Sequence, residues 1–541
     1  MRRFWFKKNK GQALVVSYMA IAILMVYSSG LLMKAIAEKN TADRARLTAE
    51  AFYLAEGAAE NTIAAFISDI ANFNINAAVS GYNATTTFAS FNNFSASSSV
   101  TALESGDRTV VDSLGRNTFV RNYEVVSSVT HPENSGIQVT LHQVIARSLI
   151  PTFQHLIFYD QDLEVLPGAN MTLSGRIHAN HDIYINSRDT LTVDTFYLRS
   201  AGSIYNSRKD DPSDPMGGDV EIRVNKSGSP KYEDMDGLDC DDADWAIESQ
   251  ERWEGTVMSA VHGVNDLAAP SVGAVSPTGY YANQANVVVT NNAIVKNGVT
   301  LQEGVDYPVG TVTTTTTSFY NNREGEYIKM TEIDMAKLSG LSGTCSGGSC
   351  PNNLPSNGLL YATRTDGGAS QPGVKLVNGS EIPRSGGLTV VSDAPVYIKG
   401  DYNTTNEKPA SVIADTINLL SNNWSDANSA SGLSSRTAAV TSYNTAFMAG
   451  VDTTSVGHYN GGLENYPRFH EGWSAVDCNI KGSFVGLWNP SVAAGAWQYG
   501  SPQYTAPRRN WTYNSMYNNA ANLPPFTPVV VEAERVVWWQ E

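Results

Sequence analysis

Six aspartates crowd one short stretch of the chain: Asp234, Asp236, Asp239, Asp241, Asp242 and Asp244, with Gly237 among them. Carboxylates at alternate positions around a glycine can wrap a hard cation, which makes Asp234, Asp236, Asp239 and Asp241 candidate ligands for calcium. The order departs from the EF-hand loop, where glycine follows the third ligand and a bidentate glutamate closes the site. A solvated acidic loop is the competing reading. A second group is His178, Asn180, His181 and Asp182. From a turn between strands these could reach a metal, yet Asn and Asp also stack well at the corners of repeated β turns. A third group lies near the end: Tyr459, Glu464, Tyr466, Arg468, His470, Glu471, Trp473, Trp488, Trp497, Tyr499 and Tyr504. Aromatic platforms with carboxylates suit glycan binding, whereas the same side chains at the end of a β stack would serve packing.

The cysteines are Cys240, Cys345, Cys350 and Cys478. An even number is compatible with two disulfides in an oxidising compartment. Cys345 and Cys350 bracket a Gly/Ser loop, which predicts a local bridge and leaves Cys240 with Cys478 as a long-range one. Zinc is the alternative, but there is a single close pair and no histidine beside it. The chain has no nucleophile elbow, no HExxH, no phosphate loop and no dinucleotide fingerprint. Paired carboxylates on a β-helix could still make a glycoside hydrolase or lyase, because such pairs have no linear signature. The mark of that alternative would be carboxylates converging in an elongated groove.

The elements that position these groups begin with the first 70 residues. Arg2, Arg3, Lys7, Lys8 and Lys10 precede Gly11, and Ala13 to Met33 contains neither charge nor proline. An apolar helix of about 20 residues spans the roughly 30 Å core of a bilayer. A basic cluster resists translocation, so the expected topology has a cytoplasmic N-terminus and everything after Lys34 outside the cytoplasm. A cleaved secretory signal would end in small residues; this run ends Leu31-Leu32-Met33-Lys34. Apolar residues then continue at Leu47, Ala51, Leu54, Ala58, Ile63, Phe66 and Ile70, mostly at helical spacing. The expectation is one helix from Gln12 to Ile70, about 90 Å long.

The leader ending Lys10-Gly11, the core GQALVVSYMAIAILMVYSSGLL and the stretch TAEAFYLAEGAAENTI from Thr48 to Ile63 resemble the class III signal of type IV pilins and pseudopilins. Within that group they are closest to minor pilins of the PilX N-terminal type. Words spread over most of the chain, among them GRIHANHDIYI and GLTVVSDAPVYIKGDYN, resemble the globular part of large PilX-like proteins. The resemblance implies that a prepilin peptidase cuts after Gly11, leaving Gln12 as the mature N-terminus. It implies other pilins or pseudopilins, the prepilin peptidase and an inner-membrane assembly platform as partners, with a surface ligand or glycan beyond them. The fifth mature residue of pilins is usually a glutamate that pairs with a neighbour's N-terminal amine. Here it is Val16, and that departure favours a rare subunit at or near a filament tip.

Composition agrees with an exported protein, and the missing catalytic motifs with a non-enzymatic one. Across 541 residues the net charge is −16, which argues against nucleic acid as a partner. The runs Tyr123–Val129 and Ile137–Ile145 flank His131-Pro132-Glu133-Asn134-Ser135-Gly136 and predict an antiparallel hairpin. Ala71 to Gly115 reads as loop with isolated strands. From Leu163 to Leu487 short β runs recur between Gly, Asn and Asp turns, which predicts a β-solenoid of parallel β-helix type. Helical segments are expected at Asp244–Val261 and Glu332–Leu338. The predicted fold class is mainly β with one long N-terminal α-helix. Its parts are a leader (1–11), a transmembrane and amphipathic helix (12–70), a β-rich pilin-like segment (71–155) and a solenoid-like domain (156–541) interrupted by an inserted region at about 206–353.

Overall fold

The computed structural model describes residues 11–73, 82–88, 94–224, 229–368 and 370–541. Helix α1 runs unbroken over Gln12–Ala71, as the uncharged run and the following 3–4 spacing predict. Its first half carries no tertiary packing. Its second half lays Ala51, Leu54, Ala55, Ala58, Phe66 and Ile70 on a β-sheet. Alanine at Ala51, Ala55, Ala58 and Ala59, and again at Ala71, lets the helix backbone approach the sheet closely, and Phe66 fills the deeper space, edge-on to Tyr123 at 4.9 Å.

The sheet is antiparallel. Strands β1 (Tyr82–Phe88), β2 (Phe94–Ala102), β4 (Asn117–His131) and β5 (Asn134–Pro151) lie in that order, with the short β3 (Arg108–Val111) also on β4. The hairpin legible in the sequence is β4–β5, in register Tyr123↔Ile145 and Val129↔Val139. Along β4 burial alternates, so Tyr123, Val125 and Val129 face the helix. Two findings correct the reading of 71–155. The described part of Ala71–Gly115 is sheet rather than loop with isolated strands. The fifth place in the order, next to β5, belongs to the far end of the chain, Val529–Gln540, with Val531 opposite Leu149.

Beyond Pro151 the chain forms stacked rungs. Leu163–Val165, Ile183–Ile185 and Ile204–Tyr205 pair in parallel, Leu163 aligned with Ile183 and Ile183 with Ile204. A second face aligns Met171, Leu191 and Val220, and a third Ile157, Ile177, Leu198 and Val257. The aligned side chains point inward and form one continuous core. A second set of parallel rungs comes from Val287–Thr290, Leu359–Thr363, Leu388–Val391, Ala410–Ile413, Ala446–Gly450 and Asp477–Trp488. Its last member pairs with the first rung of the other set, Phe484 with Ile157. The chain therefore enters at the middle of the stack, builds to one end, crosses to the other end and returns to the middle. Entry and exit meet there, where the Thr152 amide donates to the Pro528 carbonyl at 3.0 Å and the helix-bearing sheet is attached.

The rungs do not stop at 206–353. Asp219–Arg223, Val257–Met258, Val287–Thr290 and Lys329–Asp334 all join parallel ladders, so that span is rung-bearing chain with long excursions rather than an insertion. The helix expected over 244–261 covers Trp245–Trp253 and is ended by Glu254 in the left-handed region at φ 47°. Over Glu332–Leu338 the expected helix is present only as the single turn Met335–Leu338, with Asp334 capping the Lys337 amide; Glu332–Asp334 end a strand in which Ile333 pairs with Leu376.

Candidate functional site

Among the described residues, the first half of α1 is a long apolar surface with nothing packed on it. Gly11 precedes it in helical backbone conformation with no side-chain cap. Residues 12–45 are exposed throughout, Val16 by 64% and Val26 by 73%. The hydroxyls of Ser17 and Ser29 donate to the carbonyls of Ala13 and Val26, so neither polar group needs solvent. The helix is long and apolar enough to cross a membrane. Charges begin only at the Lys34–Glu38 pair, at 3.8 Å. Such a surface has two uses in water-soluble surroundings or lipid: burial in a bilayer, or burial against other helices.

The acidic stretch folds differently from its linear order. Ligand oxygens of Asp219, Asp234 and Asp236 come within 4.8 Å of one another, with Asp219 and Asp236 exposed and Asp234 half-buried. Asp239 and Asp241 are not in that group. Asp239 is occupied with backbone, accepting from the amides of Asn206 at 3.0 Å and Asp241 at 2.8 Å. Partial desolvation and the neighbouring Asp234 carboxylate raise the pKa of Asp236. Calcium takes about six to eight oxygens, so water would have to complete this trio. Asp219 escaped the sequence reading because its strand reaches the cluster only by pairing with Tyr232–Asp234.

The His178 group is a corner of the stack. His178 lies flat against Phe158 at 5.2 Å, and its Nε2 donates to Asn180 Oδ1 at 3.1 Å; burial pushes its pKa down to about 4. Asn180 donates to Asp160 and to the Leu267 carbonyl, and Asp182 accepts from the Ser203 amide of the next rung. His181 stands apart, exposed at the mouth of a cleft. The late aromatic group is equally occupied. Tyr466 donates to the Val485 carbonyl, Trp473 is fully buried, and Arg468 pairs with Glu324 at 2.9 Å inside the structure. Glu471 accepts from the amide and hydroxyl of Ser421, both at 2.6 Å. No open platform results, although Tyr499 is 58% exposed at the edge.

Cys345 and Cys350 are disulfide-bonded, with Cα atoms 5.2 Å apart. Cys240 and Cys478 are not bridged, which corrects the long-range pairing. Cys240 accepts from the Ile204 amide at the end of one ladder, whereas Cys478 is buried opposite Thr441 in another.

One feature escaped the sequence reading. A cleft of about 780 Å³ opens between the helix-bearing sheet and the first rung, lined by Asp160, Asp162, Glu164, Asp266 and Asp452. The i, i+2, i+4 spacing of the first three was visible in the sequence; their meeting with Asp266 and Asp452 was not.

No family model matches the chain, and no curated protein matches it. Among solved structures, the competence-associated pilin ComZ from Thermus thermophilus is similar at a TM-score of 0.30 and 8% sequence identity, over 91% of this chain and 97% of that one. A likeness of that degree carries no argument.

Proposed function

We propose that this chain is a structural, non-enzymatic subunit of a type IV pilus or a related secretion filament, of the minor pilin or pseudopilin kind. The observation that carries the reading is the unbroken helix, uncharged up to Met33, unpacked through its first half and seated on an antiparallel sheet in its second. That division suits a subunit that waits in the membrane by its apolar half and later buries the same half among other subunits' helices. The basic leader before Gly11 supports processing on the cytoplasmic side. Incubation with a prepilin peptidase is expected to leave Gln12 as the N-terminus, and Gly11→Asp to block the cut. A mature protein beginning at Met1, or after Lys34, would overturn the reading.

A place at or near the filament tip follows from two features of this chain. Val16 offers no carboxylate to a neighbour's buried amine, and buried charge is tolerated only when paired. The stack of rungs is also bulky for a subunit repeated along a thin fibre. Its role there would be assembly or adhesion. Immunogold labelling that finds the protein evenly along fibres, at the abundance of a main subunit, would reject the tip position.

A further inference from the structure

The cleft beside the first rung holds more carboxylates than its own cations match. Asp160, Asp162, Glu164, Asp266, Asp452 and Glu532 line it, against Lys209 and His181. Three of these acids are already paired: Asp162 with Lys209, Asp452 with Arg323 and Arg468, and Glu532 with Arg116. Among the described residues, no cation forms an ion pair with Asp160, Glu164 or Asp266. Glu164 is only 3% exposed; Thr454 hydrogen-bonds its carboxyl, but its Oε2 has no partner. A buried acceptor without a donor is destabilising in an isolated chain, and native proteins rarely leave one. The residue lines a space of ligand size.

Charge and spacing decide the ligand class. The carboxylate excess repels anions. A single metal ion needs several oxygens around one point; among the described residues only Asp219, Asp234 and Asp236 gather so, and none of them lines the cleft. A sugar ring would want an aromatic face, and the apolar lining is aliphatic: Ile67, Leu267, Val451 and Val531. Ammonium groups fit what remains. They carry donors only, and a flexible chain bearing several can reach carboxylates too far apart to share one ion. We propose that this cleft binds an organic polycation through its primary ammonium groups, with Glu164, Asp160 and Asp266 as the anionic anchors. Burial raises the pKa of both Glu164 and Asp160, a penalty that a cation bound beside them would relieve. The ammonium groups can come from a free polyamine or from lysine side chains of a protein partner.

Calorimetric titration of the full chain in non-ionic detergent with spermidine, and separately with a tetralysine peptide, tests the assignment. Saturable binding of at least one probe is expected, with no binding of fully acetylated tetralysine. Spermidine alone binding identifies the free polyamine as the source, and tetralysine alone a peptide. Glu164→Gln and Asp160→Asn should each weaken binding about tenfold or more. Asp241→Asn, an equal charge change on the exposed acidic loop, should alter it less than about twofold. If Glu164→Gln fails to melt cooperatively, Asp160→Asn on the neighbouring turn carries the comparison. No saturable binding of either probe, binding unchanged by both cleft variants, or equal weakening by all three variants would overturn the proposal.

Discussion

Replacing Glu464 with glutamine should make the protein's stability less sensitive to a rise in pH from the acid range to neutrality. Glu464 lies in the short turn Leu463–Asn465 and is 4% exposed. Its Oε1 accepts from the Leu166 amide at 2.8 Å, which ties this turn to the first rung, while Oε2 has no partner. The charged or titratable groups around it are Arg509, Glu164, Tyr159 and Tyr459. Burial pushes the Glu464 pKa from 4.5 to about 7, and the pull of Arg509 in the other direction does not compensate. Between those values the folded chain keeps a proton that the unfolded chain releases. The group's contribution to stability is therefore full below about pH 4.5 and lost as pH rises through about 7. At about 1.4 kcal/mol for each tenfold change in proton affinity, the loss amounts to roughly 3 kcal/mol. Glutamine keeps the oxygen that accepts from Leu166 and cannot ionise. Urea unfolding of wild type and Glu464→Gln, followed by tryptophan fluorescence at about pH 5 and pH 8, isolates the effect, since titrating groups common to both proteins largely cancel. The variant should be near neutral at the lower pH and stabilised by up to about 3 kcal/mol at the higher. Equal destabilisation at both would show that the carboxylate is ionised throughout and that the argument from burial fails.

Phe66→Ala removes the largest fully buried side chain that the helix sets on the sheet and should cost about 3–5 kcal/mol in the unfolding of that unit, measurable by hydrogen exchange along β4 and β5. Arg468→Ala removes the ion-pair partner of the Glu324 carboxylate, 6% exposed as a side chain, leaving it the Gly495 amide and Gln371 as donors, and should destabilise by about 3 kcal/mol; a denaturation midpoint unchanged from wild type would contradict the buried pair. Under native conditions an alkylating reagent should label Cys240 and leave Cys478 unmodified, with Cys345 and Cys350 protected until reduced. Reducing that bridge should cost only about 2 kcal/mol, because the loop it closes is short.

The sequence by itself determined the features whose causes lie within a few residues of one another. An uncharged run continued at 3–4 spacing can only be satisfied as one helix, and α1 is that helix. A Pro/Asn/Gly turn between apolar runs fixed the β4–β5 hairpin, and cysteines five positions apart around Gly and Ser found each other. Short β runs with small-residue corners gave the texture of parallel rungs, since that pattern leaves Ile, Val and Leu one side to bury. Where strand and helix patterns overlap over a short stretch, as at Glu332–Leu338, pairing with Pro372–Val377 drew Glu332–Asp334 into a strand and left Met335–Leu338 as a helical turn. Only the tertiary structure decided which distant pieces meet. The C-terminal strand completes the sheet on α1 because the stack returns to the middle, where it began, and delivers Val529 beside Pro151. The same return sets Asp452 against Asp160, Asp162 and Glu164 to form the acidic cleft, and strand pairing brings Asp219 to Asp234. It also puts Cys240 and Cys478 on separate ladders. Such meetings depend on how rungs dock over hundreds of residues, a choice made by burial of the shared core and not by any local spacing of the residues concerned.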